Sequence, residues 1–321
     1  SHYLGGYVYD ATTGKYKIIN SSELIAGIQN KLASAINLFE SARGNQAELD
    51  FGVDQHVAAN ILYTRYGYDV INTIAAKYNA SIEDVKSIMN VLDSVGACSY
   101  ANVCNEIFML YKNRPDLFKS HFGYDMYNQN GELNTAKLLT DLYIYSNTSN
   151  TTGGRLFEID VNGNLKIIPG SKIESQQYLS NTNKGMNTTI INGFLEKNNS
   201  SFRLSSERVV KLGEYNLTIT QAKLVQELKN RLLKGELLSL HERSEGKEIV
   251  FENLDNPLEE RKMTTHSWKE GDAHVTTIIG ITKNGLIISS WGNKYLIKFS
   301  DLDSNNFAIN ALKVSDINSQ K

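Results

Sequence analysis

The chain has 321 residues, 41% of them hydrophobic and 21% charged, with a formal net charge of −2. That length suits one large domain or two modest ones around a buried core, and the near-neutral balance lacks the basic footprint of a general nucleic-acid binder. No apolar run reaches the ~20 residues that a membrane-spanning helix needs. The only cysteines, Cys98 and Cys104, are too few for a disulfide framework. On one helix they would point about 120° apart, so no bond between them is expected.

The sequence opens at Ser1-His2 with no charged-then-apolar signal segment, and that opening reads as an expression scar or a cut from a longer chain. Residues 1–20 form an arm or hairpin, with extended runs at 7–10 and 15–19 around Ala11-Thr12-Thr13-Gly14. Residues 21–92 read as a helical region. Asn20 with Glu23 caps a first helix carrying Leu24, Ile28, Leu32, Ile36 and Phe39 at three- and four-residue steps. Further helices are expected over 54–65, 68–78 and 82–92, the last opened by Ser81. The third region is 93–321. It begins with a helix from Cys98 that buries Ala97, Ala101, Cys104, Phe108 and Tyr111 along one stripe and ends by Arg114-Pro115.

A helix at 134–146 follows, then a hairpin of 156–159 and 165–168 around Asn162-Gly163. A helix is expected near 187–196, and Thr218 with Gln221 reads as a capping box for one over 219–233, closed by Gly235. Residues 236–241 read as a strand and the charged stretch 243–270 as a long loop over the site. Strands at 274–281, 286–291, 295–299 and 307–313 end the chain. Helices first and strands last argue for an α+β fold.

The chemistry concentrates at Cys98 and His274. A thiol becomes a good nucleophile as the thiolate, which the N–H groups of a helix N-terminus and a neighbouring imidazolium both favour. Gly96 permits an unusual turn into that helix. The histidine must reach the thiol and pass its proton to a leaving group, with a third polar group fixing the ring. Cys104, inside the buried stripe, is a core residue. A zinc site at the two cysteines lacks further ligands. His2, His56, His121, His241 and His266 have no comparable context and read as structural or surface residues.

Taken together, Gly96-Ala97-Cys98-Ser99, Ala273-His274-Val275 through Gly280, and Ile288-Ser289-Ser290-Trp291-Gly292 resemble the papain-like cysteine peptidases, including bacterial secreted peptidases, toxin domains and effectors. The resemblance covers residues from about 90 to 300. It implies a two-lobe fold, with the nucleophile heading a helix in one lobe and the histidine on a strand of an antiparallel sheet in the other. Trp291 then becomes a lid over the histidine pair.

Two motif positions differ from that family. Ser289 stands where an orienting Asn or Asp is usual. If residues 282–285 form the turn and Ile281 faces Leu286, His274 instead faces Asn293; Asp272 is a third candidate. The usual oxyanion-hole glutamine is absent, with Asp93 or Ser94 in its neighbourhood and the Cys98 backbone N–H as one donor. The implied activity is hydrolysis of a peptide or isopeptide bond through a Cys98 acyl-enzyme, on a protein substrate that includes host proteins, without a cofactor or nucleic acid. The resemblance also implies secretion or delivery into a host cell. Glutamine deamidation or transglutamination at the same site, and a catalytically silent binding or adhesion module, are the alternatives.

Overall fold

The computed structural model describes residues 3–4, 7–10, 15–18, 67–92, 97–255, 258, 260–263, 268 and 272–320. The expected helices between 21 and 65, and Asp93, Ser94, His2, His56 and His266, lie outside the described residues. Strands β1 (Tyr3–Leu4), β2 (Tyr7–Asp10) and β3 (Lys15–Ile18) form a small antiparallel sheet, with Asp10 opposite Lys15 across the expected turn.

Helices α1 (Gly67–Tyr78) and α2 (Ile82–Leu92) follow. Ser81 Oγ accepts from the Asp84 N–H at 3.1 Å and so opens α2 as its side chain predicts. Then come α3 (Cys98–Leu110), α4 (Pro115–Phe122), α5 (Thr135–Ser146) and the single turn α6 (Ser149–Thr152). Pro115 sits in the first turn of α4, where a missing N–H costs no hydrogen bond. The hairpin of β4 (Phe157–Ile159) and β5 (Leu165–Ile167) lies where the Asn162-Gly163 signal puts it. A short pair, β6 (Ser180–Asn181) and β7 (Gly185–Met186), precedes α7 (Thr188–Lys197), which Asn187 caps.

The rest is mostly sheet: β8 (Phe202–Val210), α8 (Gln221–Leu233), β9 (Leu237–Arg243), β10 (Ile249–Asn253), β11 (Glu260–Met263), β12 (Ala273–Ile281), β13 (Gly285–Ser290), β14 (Asn293–Lys298) and β15 (Phe307–Asp316). Eight of these strands make one antiparallel sheet in the order β11-β10-β14-β13-β12-β9-β15-β8. The chain is thus α+β, with eight α-helices among the described residues.

Two details correct the sequence expectation. The cap of α8 is Thr220, whose hydroxyl accepts from the Lys223 N–H, while Thr218 turns its hydroxyl back to the Glu214 carbonyl. The stretch 243–270 contains β10 and β11. In β10, Ile249, Phe251 and Asn253 are buried and alternate with half-buried Val250 and Glu252. That is the period of a strand, concealed in sequence by flanking charges.

The sheet separates two cores. Leu237 and Leu312 turn to the helical side, which holds Tyr100, Cys104, Phe108, Phe118 and Leu142. Leu238, Leu240, Ile278, Ile288 and Phe307 turn to the other, under α8. This alternation decides which side chains can meet around His274.

Candidate active site

Cys98 is the first residue of α3, preceded by Ala97 with no side-chain cap. The cysteine is half-buried and Cys104 fully so; both are free thiols. Backbone N–H groups of Val275, Ser99 and Cys98 itself favour a sulfur anion, but burial, aided by the charge of Glu242, prevails and pushes the thiol pKa above its ordinary value. Cys98 therefore rests as a thiol. Burial holds the Cys104 thiol up further, which suits the core role expected of it.

Helix α3 lies on β12 through a buried polar seam. Thr277 Oγ1 donates to Asn102 Oδ1 at 2.7 Å and accepts from Asn105 Nδ2 at 3.1 Å. Ser239 Oγ donates to Glu106 Oε1 at 2.6 Å and accepts from Asn102 Nδ2 at 2.9 Å. Burial raises the Glu106 pKa to about 7 against these hydrogen bonds. The seam fixes α3 along the sheet, and with it the place of Cys98 at the start of β12.

His274, 8% exposed, is held from two sides. Its Nε2 lies 2.9 Å from Ser290 Oγ. Its ring lies flat on Trp291, with centroids 4.4 Å apart and planes 7° from parallel. Phe251 packs edge-on against the same indole at 5.0 Å. Trp291 and Gly292 both have positive φ, +46° and +73°, as a two-residue type I′ turn between the paired Ser290 and Asn293 requires. A non-glycine residue in that region costs ~1–2 kcal/mol, and the buried aromatic stack offsets it.

The hydroxyl beside His274 Nε2 is that of Ser290, where motif position pointed to Ser289 and hairpin register to Asn293. The hairpin begins as expected, with Ile281 opposite Leu286 and Gly280 opposite Ile287, but a bulge at Ile279 shifts the register so that Ile278 meets Ile288 and Thr277 meets Ser289. Ser290 consequently falls on the face of His274, and Ser289 falls on the face toward α3. Ser289 Oγ is buried with no hydrogen-bond partner. Asn293 donates its amide to the Trp291 carbonyl at 3.1 Å, bracing the turn. Asp272 is exposed just before β12.

Cys98 and His274 line the same two spaces. One is a small space of about 10 Å³, shared with Asn102, Asn105, Ser289 and Ser290. The other is an open cleft of about 500 Å³ walled by Tyr178, Asn181, Asn183, Arg243 and Asp272. Arg208 supports the β6–β7 wall by donating to the Thr182 carbonyl at 2.5 Å.

Two further histidines lie among the described residues, and His241 also lines the larger cleft. His241 is buried against Asn310 at 2.8 Å, and burial, helped by Arg208, lowers its pKa to about 3. His121 shares a hydrogen bond with Tyr111. Among the described residues no cluster of His, Cys, Asp and Glu could hold a metal ion, and no helix is long and apolar enough to cross a membrane. Sequence reading missed Ser290 and Phe251. Only the bulge, which leaves no sequence signal, and β10, concealed by charge, would have pointed to them. No family model matches the chain, and no curated protein or solved structure shows significant similarity to it.

Proposed function

We propose that the chain is a thiol hydrolase of papain-like arrangement, in which the helical layer carrying Cys98 and the sheet carrying His274 act as two lobes. The observation that carries this reading is the shared cavity of Cys98 and His274, with the imidazole fixed by Ser290 and clamped by Trp291. A catalytic base needs that fixation, since a misplaced ring forfeits the gain from proximity.

With Nε2 committed to Ser290, proton transfer falls to Nδ1. The Cys98 S–H proton passes to Nδ1 as Sγ attacks the substrate carbonyl carbon, forming the S–C bond and an oxyanion. The oxyanion collapses, the C–N bond breaks, and the imidazolium gives its proton to the departing amine. Water, deprotonated by His274, then cleaves the thioester and the thiol regains its proton. The Cys98 backbone N–H, at the helix N-terminus, is the first oxyanion donor. Because burial keeps the sulfur protonated at rest, His274 acts as a general base during attack, without a preformed ion pair.

The open cleft suits a polypeptide segment, so the substrate class is a protein, including one met outside the producing cell. Peptide libraries incubated with the parent, Cys98→Ala and His274→Ala, and read by mass spectrometry, test the reading. Cleavage by the parent alone is expected; undiminished cleavage by Cys98→Ala would sink it. A one-dalton gain at glutamine without chain scission would move the same site to deamidation. The raised thiol pKa is the observation that favours the silent binding module, and that reading requires Cys98 to be indifferent to His274.

A further inference from the structure

Two buried oxygens beside the α3 seam belong to residues that line the small space between Cys98 and His274. Asn105 Oδ1 and Ser289 Oγ are each buried with no hydrogen-bond partner, on residues that are both 2% exposed. The Asn105 amide nitrogen donates to Thr277 Oγ1 at 3.1 Å, which fixes that side chain and leaves its carbonyl oxygen as an acceptor. Ser289 stands opposite Thr277, at the point where the pairing of β12 with β13 ends. Both oxygens therefore come from the place where α3, β12 and β13 meet, and the space of about 10 Å³ lies there.

Buried polar groups in folded proteins are paired with protein or with ordered water. A space of this size holds one water and nothing larger. Its lining suits water: the amide oxygen accepts, the hydroxyl gives or takes, and no carboxylate is present to hold a cation. We propose that Asn105 and Ser289 bind one water molecule here, and that this water hydrolyses the Cys98 acyl-enzyme. The second half rests on the thiol-hydrolase reading. The space borders both Cys98, which carries the acyl group, and His274, which takes the proton. The water oxygen bonds to the thioester carbonyl carbon as one of its protons passes to the imidazole. The C–S bond then breaks, the carboxylic acid leaves with the new C–O bond, and the imidazolium returns its proton to the sulfur. A water already held in place reacts without first being collected from solvent. That gives hydrolysis an advantage over transfer to an incoming amine, and so separates this site from transglutamination.

A high-resolution crystal structure of the parent should show an ordered water within hydrogen-bond distance of Asn105 Oδ1 and Ser289 Oγ. Clear density for both side chains without that water overturns the site. p-Nitrophenyl acetate, which acylates a reactive thiol directly, tests the role, with intact-mass spectrometry following the acetyl group on Cys98 in the parent and in Ser289→Ala. The variant should lose the acetyl group about tenfold more slowly, the kinetic equivalent of one hydrogen bond. Added hydroxylamine should then capture a larger share of it as the hydroxamate. Alkylation of Cys98 consumes no water, so the labelling rate separates this step from thiol activation. Equal rates of acetyl loss in the two proteins overturn the hydrolytic role. A parent in which Cys98 is never acetylated, or is acetylated equally well after His274→Ala, removes the hydrolase reading and the role with it. The crystal structure still decides the water site in that case, so the failures are separable.

Discussion

The imidazole of His274 lies on the indole of Trp291, with centroids 4.4 Å apart and planes 7° from parallel, and the indole is placed there by a backbone turn with φ at +46°. The strained turn and the stack support each other. Replacing Trp291 with Ala removes the stack yet keeps the backbone penalty, so a loss of about 3–4 kcal/mol in unfolding free energy is expected. Trp291→Gly removes both and should be about 1 kcal/mol less destabilising than Ala. Urea unfolding of the two variants checks the order; Ala more stable than Gly would contradict it.

Ser290, and not Ser289, should govern the histidine. Ser290→Ala removes the contact at Nε2 and should slow His274-dependent labelling of Cys98 about tenfold, the kinetic equivalent of one hydrogen bond. Ser289 Oγ has no protein partner to lose, so Ser289→Ala should leave that rate within about twofold. The reverse pattern would restore the motif-based assignment.

How far the sequence reveals the site depends on whether a signal is local. Cys98 heading a helix and Cys104 in its buried stripe follow from residue spacing. So do the Asn162-Gly163 hairpin and the α+β order. The serine beside His274 does not, because it depends on one extra residue at Ile279 that changes the parity of a whole strand. Glu242 and the Asn102–Glu106 seam are invisible for a related reason: their partners are more than 30 residues away, across the sheet.

The seam makes stability depend on pH. Glu106 titrates at about 7 in the fold against an ordinary value of 4.5. The fold therefore binds this proton more tightly than the unfolded chain does. Its contribution is fully present below about pH 4.5 and is lost as pH rises through 7, amounting to about 3 kcal/mol. Urea unfolding at pH 5 and pH 8 should show this decline in the parent and a smaller one in Glu106→Gln. Equal slopes would remove Glu106 as the cause.

Asp141 anchors the helical side. Fully buried, it accepts from Lys77 Nζ at 2.6 Å and from Tyr124 at 2.8 Å, and Lys77 also donates to the Phe122 carbonyl and Asn198. Asp141→Ala leaves the lysine charge without its carboxylate and should cost about 3–5 kcal/mol. Thermal unfolding reads this as a large fall in Tm; a variant as stable as the parent would show that the cluster contributes little.

The most direct test of the central claim is the rate of Cys98 alkylation from pH 5 to pH 11, read by peptide mass spectrometry beside Cys104, in the parent and in His274→Ala. The expected parent profile has a lower-pH limb that depends on His274, followed by an alkaline limb from the raised thiol, while Cys104 stays unlabelled until the chain unfolds. His274→Ala should keep only the alkaline limb. A single alkaline limb, the same in both proteins, would contradict a histidine-activated Cys98 and leave a buried thiol with no catalytic partner.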